Sequence, residues 1–128
     1  MKWLFKVELQ DKNIFDIIEK NRGVKLSEEF KNFVIRNNAA SPKLTKIVID
    51  DTERIFAAVL SFNKGEPDNI YTALKCVDKK SVVPFAIDPF GNYFCYDAGN
   101  EKVCFLEHET DKIICSDIGI GGLEDALH

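Results

Sequence analysis

Hydrophobic positions change their period several times along the chain, and each change marks an element. Trp3, Phe5, Val7 and Leu9 alternate with more polar neighbours, the period of a strand, with a helical start as the alternative. In DKNIFDIIEKNRG the period lengthens: Ile14, Ile17 and Ile18 are spaced as on a helix, and Gly23 is placed to stop it. LSEEFKNFVIRNNAASP carries the clearest pattern. Ser27 can cap the first turn, Glu28 and Glu29 complement the positive end of the helix dipole, and Phe30, Phe33, Val34 and Asn37 follow at i, i+3, i+4 and i+7. Both Phe and Val34 are therefore expected in the core. Pro42 ends the helix, because the residue before a proline avoids the α region.

Beyond Pro42 the period drops to two. LTKIVID and RIFAAVLSF read as strands joined by a tight turn near Asp50–Asp51–Thr52. FNKGEPDN is a loop, and Pro67 opens a short helix or turn through IYTALKCV. VVPFAID, YFCYD, KVCFLEHE and KIICS then follow, with DPFGN and AGNE as turns, which predicts an antiparallel meander. In the tail, a short helix is expected around Leu123–Leu127. Gly119–Gly122 (GIGG) lacks the spacing and the Lys-Ser/Thr pair of a phosphate loop, and reads as a flexible joint. Helices first and strands after predict an α+β fold. We expect a single domain over residues 1–128, with a mostly antiparallel central β-sheet, N-terminal helices packed on one face and a short C-terminal helix.

Composition adds that aromatic packing should dominate the interior, with ten Phe against one Trp and one Met. Lys6 and Glu8 interrupt the first apolar run, so no secretion signal is read there, and no uncharged stretch of about 18 residues suggests a membrane span. A cytoplasmic location is the expectation. Cys76, Cys95, Cys104 and Cys115 form no CxxC pair. They are expected as reduced, apolar-like thiols, with no metal and no cofactor.

Charge is uneven. Residues 97–128 hold eight acids and two bases, a net of −6, within a chain of net −4. Such a surface repels nucleic acid and anionic membranes and favours a basic partner, or simply keeps the protein dissolved.

Within VPFAIDPFGNYFCYDAGNEKVCFLEHET, chemistry and packing compete for the same residues. Cys95 or Cys104 with His108 would make a nucleophile–base pair. Both thiols, however, are flanked by apolar residues and are expected to point inward, where a raised pKa makes them unreactive. HETDK is not the HExxH of a zinc protease. Asp88 and Asp97 occupy turn positions, where a carboxylate bonds to its own backbone, and Gly91 supplies a positive φ. Phe30, Phe33, Phe56, Phe85 and Phe94 are expected in the core. The remaining mixture of Phe90, Tyr93 and Tyr96 with carboxylates has the composition of a protein-binding patch. The expected partner-binding residues are Tyr96, Asp97, Glu101, Glu107, His108, Glu109 and Asp111, with the five acids exposed.

Three separated pieces, LSEEFKNFVIRNNAASP, VPFAIDPFGNYFCYD and VCFLEHE, together with a weaker GLEDAL, resemble the SUKH superfamily over roughly residues 23–127. The Smi–Knr domain of fungal cell-wall regulators and bacterial immunity proteins is its best-known form. Where that family commonly carries a double glycine after the helix, this chain has Ala39–Ala40, and in the hairpin it has Phe90–Gly91. The resemblance implies an α+β fold without enzymatic activity. It further implies an immunity protein that binds the toxic domain, often a basic nuclease, of a bacterial polymorphic or contact-dependent toxin. A regulatory scaffold for an endogenous protein is the alternative, and an enzyme using Cys104 and His108 is a third reading. Oligomeric state is left open.

Overall fold

The computed structural model describes residues 1–128. In chain order its elements are β1 (Trp3–Leu4), α1 (Asn13–Arg22), α2 (Glu28–Asn37), β2 (Ser41–Pro42), β3 (Lys46–Ile49), β4 (Thr52–Ile55), β5 (Ala58–Val59), α3 (Ile70–Leu74), β6 (Val82–Ile87), β7 (Tyr93–Asp97), β8 (Lys102–Glu107), β9 (Lys112–Gly119), a 3-10 turn (Ile120–Gly122) and α4 (Leu123–Ala126). Strands β5 to β9 form one antiparallel sheet in sequence order, while β1–β2 and β3–β4 form two small ribbons. The fold is α+β, as the pattern predicts. No helix is long and apolar enough to cross a membrane.

Helix α2 begins as its sequence dictates. Ser27 Oγ accepts from the Phe30 N–H at 3.1 Å, and the same oxygen accepts from Tyr96 Oη at 3.0 Å. The cap is thereby tied to the sheet. Phe30, Phe33 and Val34 are buried, and Phe30 stacks on Tyr96 at 4.5 Å between ring centroids. Phe85 meets Phe30 and Phe33 in T-shaped contacts at 5.8 and 5.9 Å. On this face of the sheet Val83, Phe85, Phe94, Tyr96, Val103 and Phe105 join a core cluster of 25 buried residues. Val82, Cys95, Cys104 and Leu106, with Val77, make a second, five-residue cluster. Pro84 is tolerated inside β6 because the register with β7 shifts between Pro84 and Ala86.

Three expectations change. The alternation Trp3–Leu9 yields a strand only at Trp3–Leu4, and Phe5 is 81% exposed with φ 64°. The following backbone is tied to two asparagines instead: Val7 N–H donates to Asn38 O, Asn38 Nδ2 donates to Val7 O, Asn63 Nδ2 donates to Glu8 O, and Asn63 Oδ1 accepts from Gln10 N–H. Second, RIFAAVLSF is not one strand, because the chain crosses between sheets. Phe56 N–H still donates to Thr45 O beside β3, while Ala57 N–H donates to Ile87 O of β6. Third, GIGG is no flexible joint. It forms the 3-10 turn leading into α4, and a Cβ on Gly121 would meet Glu29 Oε2 at 2.6 Å.

Arg22, the last residue of α1, is buried and donates to four carbonyls: Leu74 at 3.3 Å, Val77 at 3.0 Å, Lys79 at 3.0 Å and Val82 at 2.8 Å. Burial lowers its pKa, with Cys95 and Asp78 opposing the shift. Truncation to Ala leaves these carbonyls unpaired, and urea unfolding of Arg22→Ala should show a loss of about 3 kcal/mol; a loss within error of zero removes the clamp from the account. Ala39 sits at φ 61°, where the resembled family commonly has glycine. Relief of a left-handed Cβ, less the added freedom of the unfolded chain, should make Ala39→Gly more stable by about 0.5–1 kcal/mol in thermal melts.

Candidate functional site

Two turns meet at one end of the large sheet. In the β6–β7 turn, Asp88 is buried and does what the sequence suggests: Oδ1 accepts from the N–H groups of Phe90 (2.9 Å) and Asn92 (2.8 Å). Gly91 holds φ 86°. Asp88 Oδ2 takes the Asn92 side-chain Nδ2 at 2.8 Å, which turns Asn92 Oδ1 toward the neighbouring β8–β9 turn. There Oδ1 accepts from His108 N–H at 3.0 Å and lies 2.8 Å from His108 Nδ1. A carbonyl oxygen only accepts, so Nδ1 carries the proton and Nε2 is the free ring nitrogen. The imidazole lies against this turn, and a Cβ on Gly91 would meet His108 Cε1 at 3.6 Å, an ordinary contact, so glycine is required by φ and not by space.

The result is a tip that projects Phe90, 69% exposed, from a turn tied through Asn92 to His108. Glu109 and Asp111 lie in the same β8–β9 turn as His108, and all three of these residues are exposed. Glu107, half-buried at the end of β8, pairs with Lys112 across the ladder. Four of the expected partner residues, Glu107, His108, Glu109 and Asp111, are thus brought together.

Asp97 and Glu101 are not with them. They belong to the β7–β8 turn at the other end of β8, about 20 Å away at ~3.3 Å per strand residue. Asp97 is half-buried, its Oδ1 accepting from Gly99 N–H at 2.9 Å, and Glu101 is exposed at φ 59°. Beside them Lys25, Ser27 and Glu28 complete an open depression of about 400 Å³. Tyr96 belongs to neither group. At 1% exposure it is a core residue, its ring against Phe30 and its hydroxyl on Ser27, and burial raises its pKa. The expectation that Tyr96 meets a partner is corrected on that ground. Asn92, which aligns the two turns, went unread in the sequence; the signal was a D-x-x-x-N turn one strand pair from a histidine.

The cysteines lie away from this tip. Cys95 faces Cys104 across β7–β8, and Cys104 faces Cys115 across β8–β9, so three thiols run across the sheet in register. Cys95 and Cys104 are buried, Cys115 and Cys76 exposed. Burial, then the hydrogen bond with Cys104, pushes the Cys95 thiol well above its ordinary range. Cys104 and His108 stand four residues apart on extended chain, about 13 Å by strand rise, so they form no nucleophile–base pair. Tyr93, half-buried near Cys76, is pushed up to about 12, chiefly by burial.

The family model described as SUKH_6, SMI1-KNR4 cell-wall, matches residues 11–117, from the start of α1 into β9. No curated protein matches the chain.

Thiol accessibility follows from this arrangement. With a chromogenic disulfide reagent at neutral pH, Cys76 and Cys115 should react within the mixing phase, and Cys95 and Cys104 only on unfolding. Fast native modification of Cys104 would restore the thiol-enzyme reading.

Proposed function

The chain belongs to the SMI1-KNR4 cell-wall family SUKH_6, and on that premise we propose that it is a non-catalytic immunity protein. It binds the toxic domain of a bacterial toxin, of basic, nuclease-type surface, and neutralises it by occlusion. The observation that carries this reading is the tip: an exposed aromatic, Phe90, on a turn bonded through Asn92 to His108 and so to the acidic β8–β9 turn. Aromatic anchors with a polar rim are the usual energetic centres of protein interfaces. Because Asp88 and Asn92 fix the turns in advance, little ordering entropy is lost on association. The net of −6 over residues 97–128 steers a basic partner toward this half of the molecule and raises the association rate more than the final affinity.

On this reading Glu107, His108, Glu109 and Asp111 make the principal contacts, and Asp97 with Glu101 supplies long-range attraction from the far end of the sheet. The protein acts in the cytoplasm, where an incoming toxin would be met. A scaffold recruiting an endogenous protein would use the same tip, and the two are separated by asking whether the purified chain abolishes a toxin's activity.

The test is to sequence the neighbourhood of this chain's gene and to assay binding and protection with any toxic domain encoded there. Phe90→Ala should weaken binding about tenfold or more, mainly through a faster off-rate. The triple change Glu107→Lys, Glu109→Lys, Asp111→Lys should slow association by about tenfold at low salt and abolish its salt dependence, with far-UV dichroism unchanged. Undiminished protection by both variants would overturn the tip as the binding site.

A further inference from the structure

Strand β9 runs away from the tip as the last strand of the five-stranded sheet, bonded to β8 on one side only. At eight residues it is the longest strand in the molecule. Such an edge presents a row of main-chain donors and acceptors ready to pair with another extended chain. Natural edges are commonly blunted by lysine, proline or a β-bulge. Strand β9 carries Lys112 at its first position and a register shift with β8 near its far end, where Ile118 N–H donates to Ser116 Oγ, so its regular stretch up to Cys115 is the part open to pairing.

Strand β3 lies alongside β9 in a separate ribbon. Lys46 exchanges both of its backbone hydrogen bonds with His128, at 3.0 and 2.9 Å, on the side away from β4. Alternate residues of an antiparallel strand address the same side, so Val48 presents its N–H and C=O there as well. Val48 is 46% exposed. Between Val48 and the β9 edge is a groove of about 360 Å³, walled by Asp50 and Asp51 of the β3–β4 turn and by Cys115, Asp117 and Ile118 of β9. Three of its lining residues are carboxylates and none is a base.

We propose that this groove receives an extended, basic segment of a partner protein, which pairs with β9 as a sixth strand of the sheet. Apolar side chains of the incoming segment rest on Val48 and Ile118, and its lysines or arginines meet Asp50, Asp51 and Asp117. The charge also selects against a second copy of this chain, since edge-to-edge pairing would bring the same carboxylates together. The groove continues the tip, because β9 begins directly after Asp111. The inference rests on the reading that the partner is a basic protein, and gives that partner a second, main-chain contact.

Two short synthetic peptides test it on the isotope-labelled chain by NMR, one alternating lysine with valine and one alternating glutamate with valine. The basic peptide should shift amides at 46–51 and 113–118, slow hydrogen exchange along β9, and bind more weakly as salt rises. The triple variant Asp50→Asn, Asp51→Asn, Asp117→Asn keeps residues suited to left-handed turns and should lower its affinity about tenfold. A bulky maleimide on Cys115, in a Cys76→Ser background, should abolish the response. The proposal is overturned by equal binding of the glutamate peptide, by no shifts at millimolar peptide, by shifts lying elsewhere, or by β9 amides already protected through self-association. A toxic domain that binds with undiminished affinity after the Cys115 block sinks the groove and leaves the immunity reading intact. A peptide response with no toxin neutralised does the reverse.

Discussion

The structure depends on an unbroken chain of aromatic contacts through its centre. Tyr96 stacks on Phe30, Phe30 and Phe33 each meet Phe85 in a T-shaped contact, Trp3 bridges Phe33 and Phe56, and Phe56 passes the contact through Phe94 to Phe105. Arg54 of β4 closes the series with its guanidinium 4.4 Å from the Phe105 centroid. Rings with few rotatable bonds lose little entropy when fixed and cover large areas, so one such series can hold a helix, a sheet and a ribbon in register. Two polar outposts extend it. Tyr96 hands its hydroxyl to the cap of α2, and buried Asn38 takes its place between the N-terminal segment and Phe62.

This rigidity is what makes the periphery useful. Antiparallel strands bonded along their length need only short turns between them, and those turns can carry polar and aromatic side chains that the core does not use. At the tip the turns are further joined by Asp88, Asn92 and His108, so that side chains from positions 90 and 108 keep a fixed relation. Partner recognition on such a platform is an arrangement of charges and one ring on an unyielding base.

Much of this was legible in the chain. Helix α2 could be read because capping, dipole and spacing agreed over one stretch, and the meander because its turns carry Asp, Asn and Gly at the positions that need them. Tyr96 misled because β7 is covered on both faces: Phe94 and Tyr96 join one cluster while Cys95 joins the other, so alternation of polar and apolar residues is absent and orientation is unreadable. The segment after Leu4 departs from its period because its backbone is bonded to Asn38 and Asn63, both distant in sequence, which no local period records. The acids of residues 97–111 are neighbours in sequence and suggest one patch, but a hairpin strand between two turns places them at opposite ends of the sheet.

Seven residues other than glycine hold a positive φ, and five of them are acidic: Asp50, Asp51, Asp68, Glu101 and Asp111. A side chain in that region carries a conformational penalty that glycine escapes and that aspartate and asparagine bear more lightly than other residues. Heat resistance and surface potential therefore pull these corners in opposite directions. A library sorted for melting temperature alone would drift toward neutral residues there, and the protein that emerged would be sturdier and electrostatically bleached.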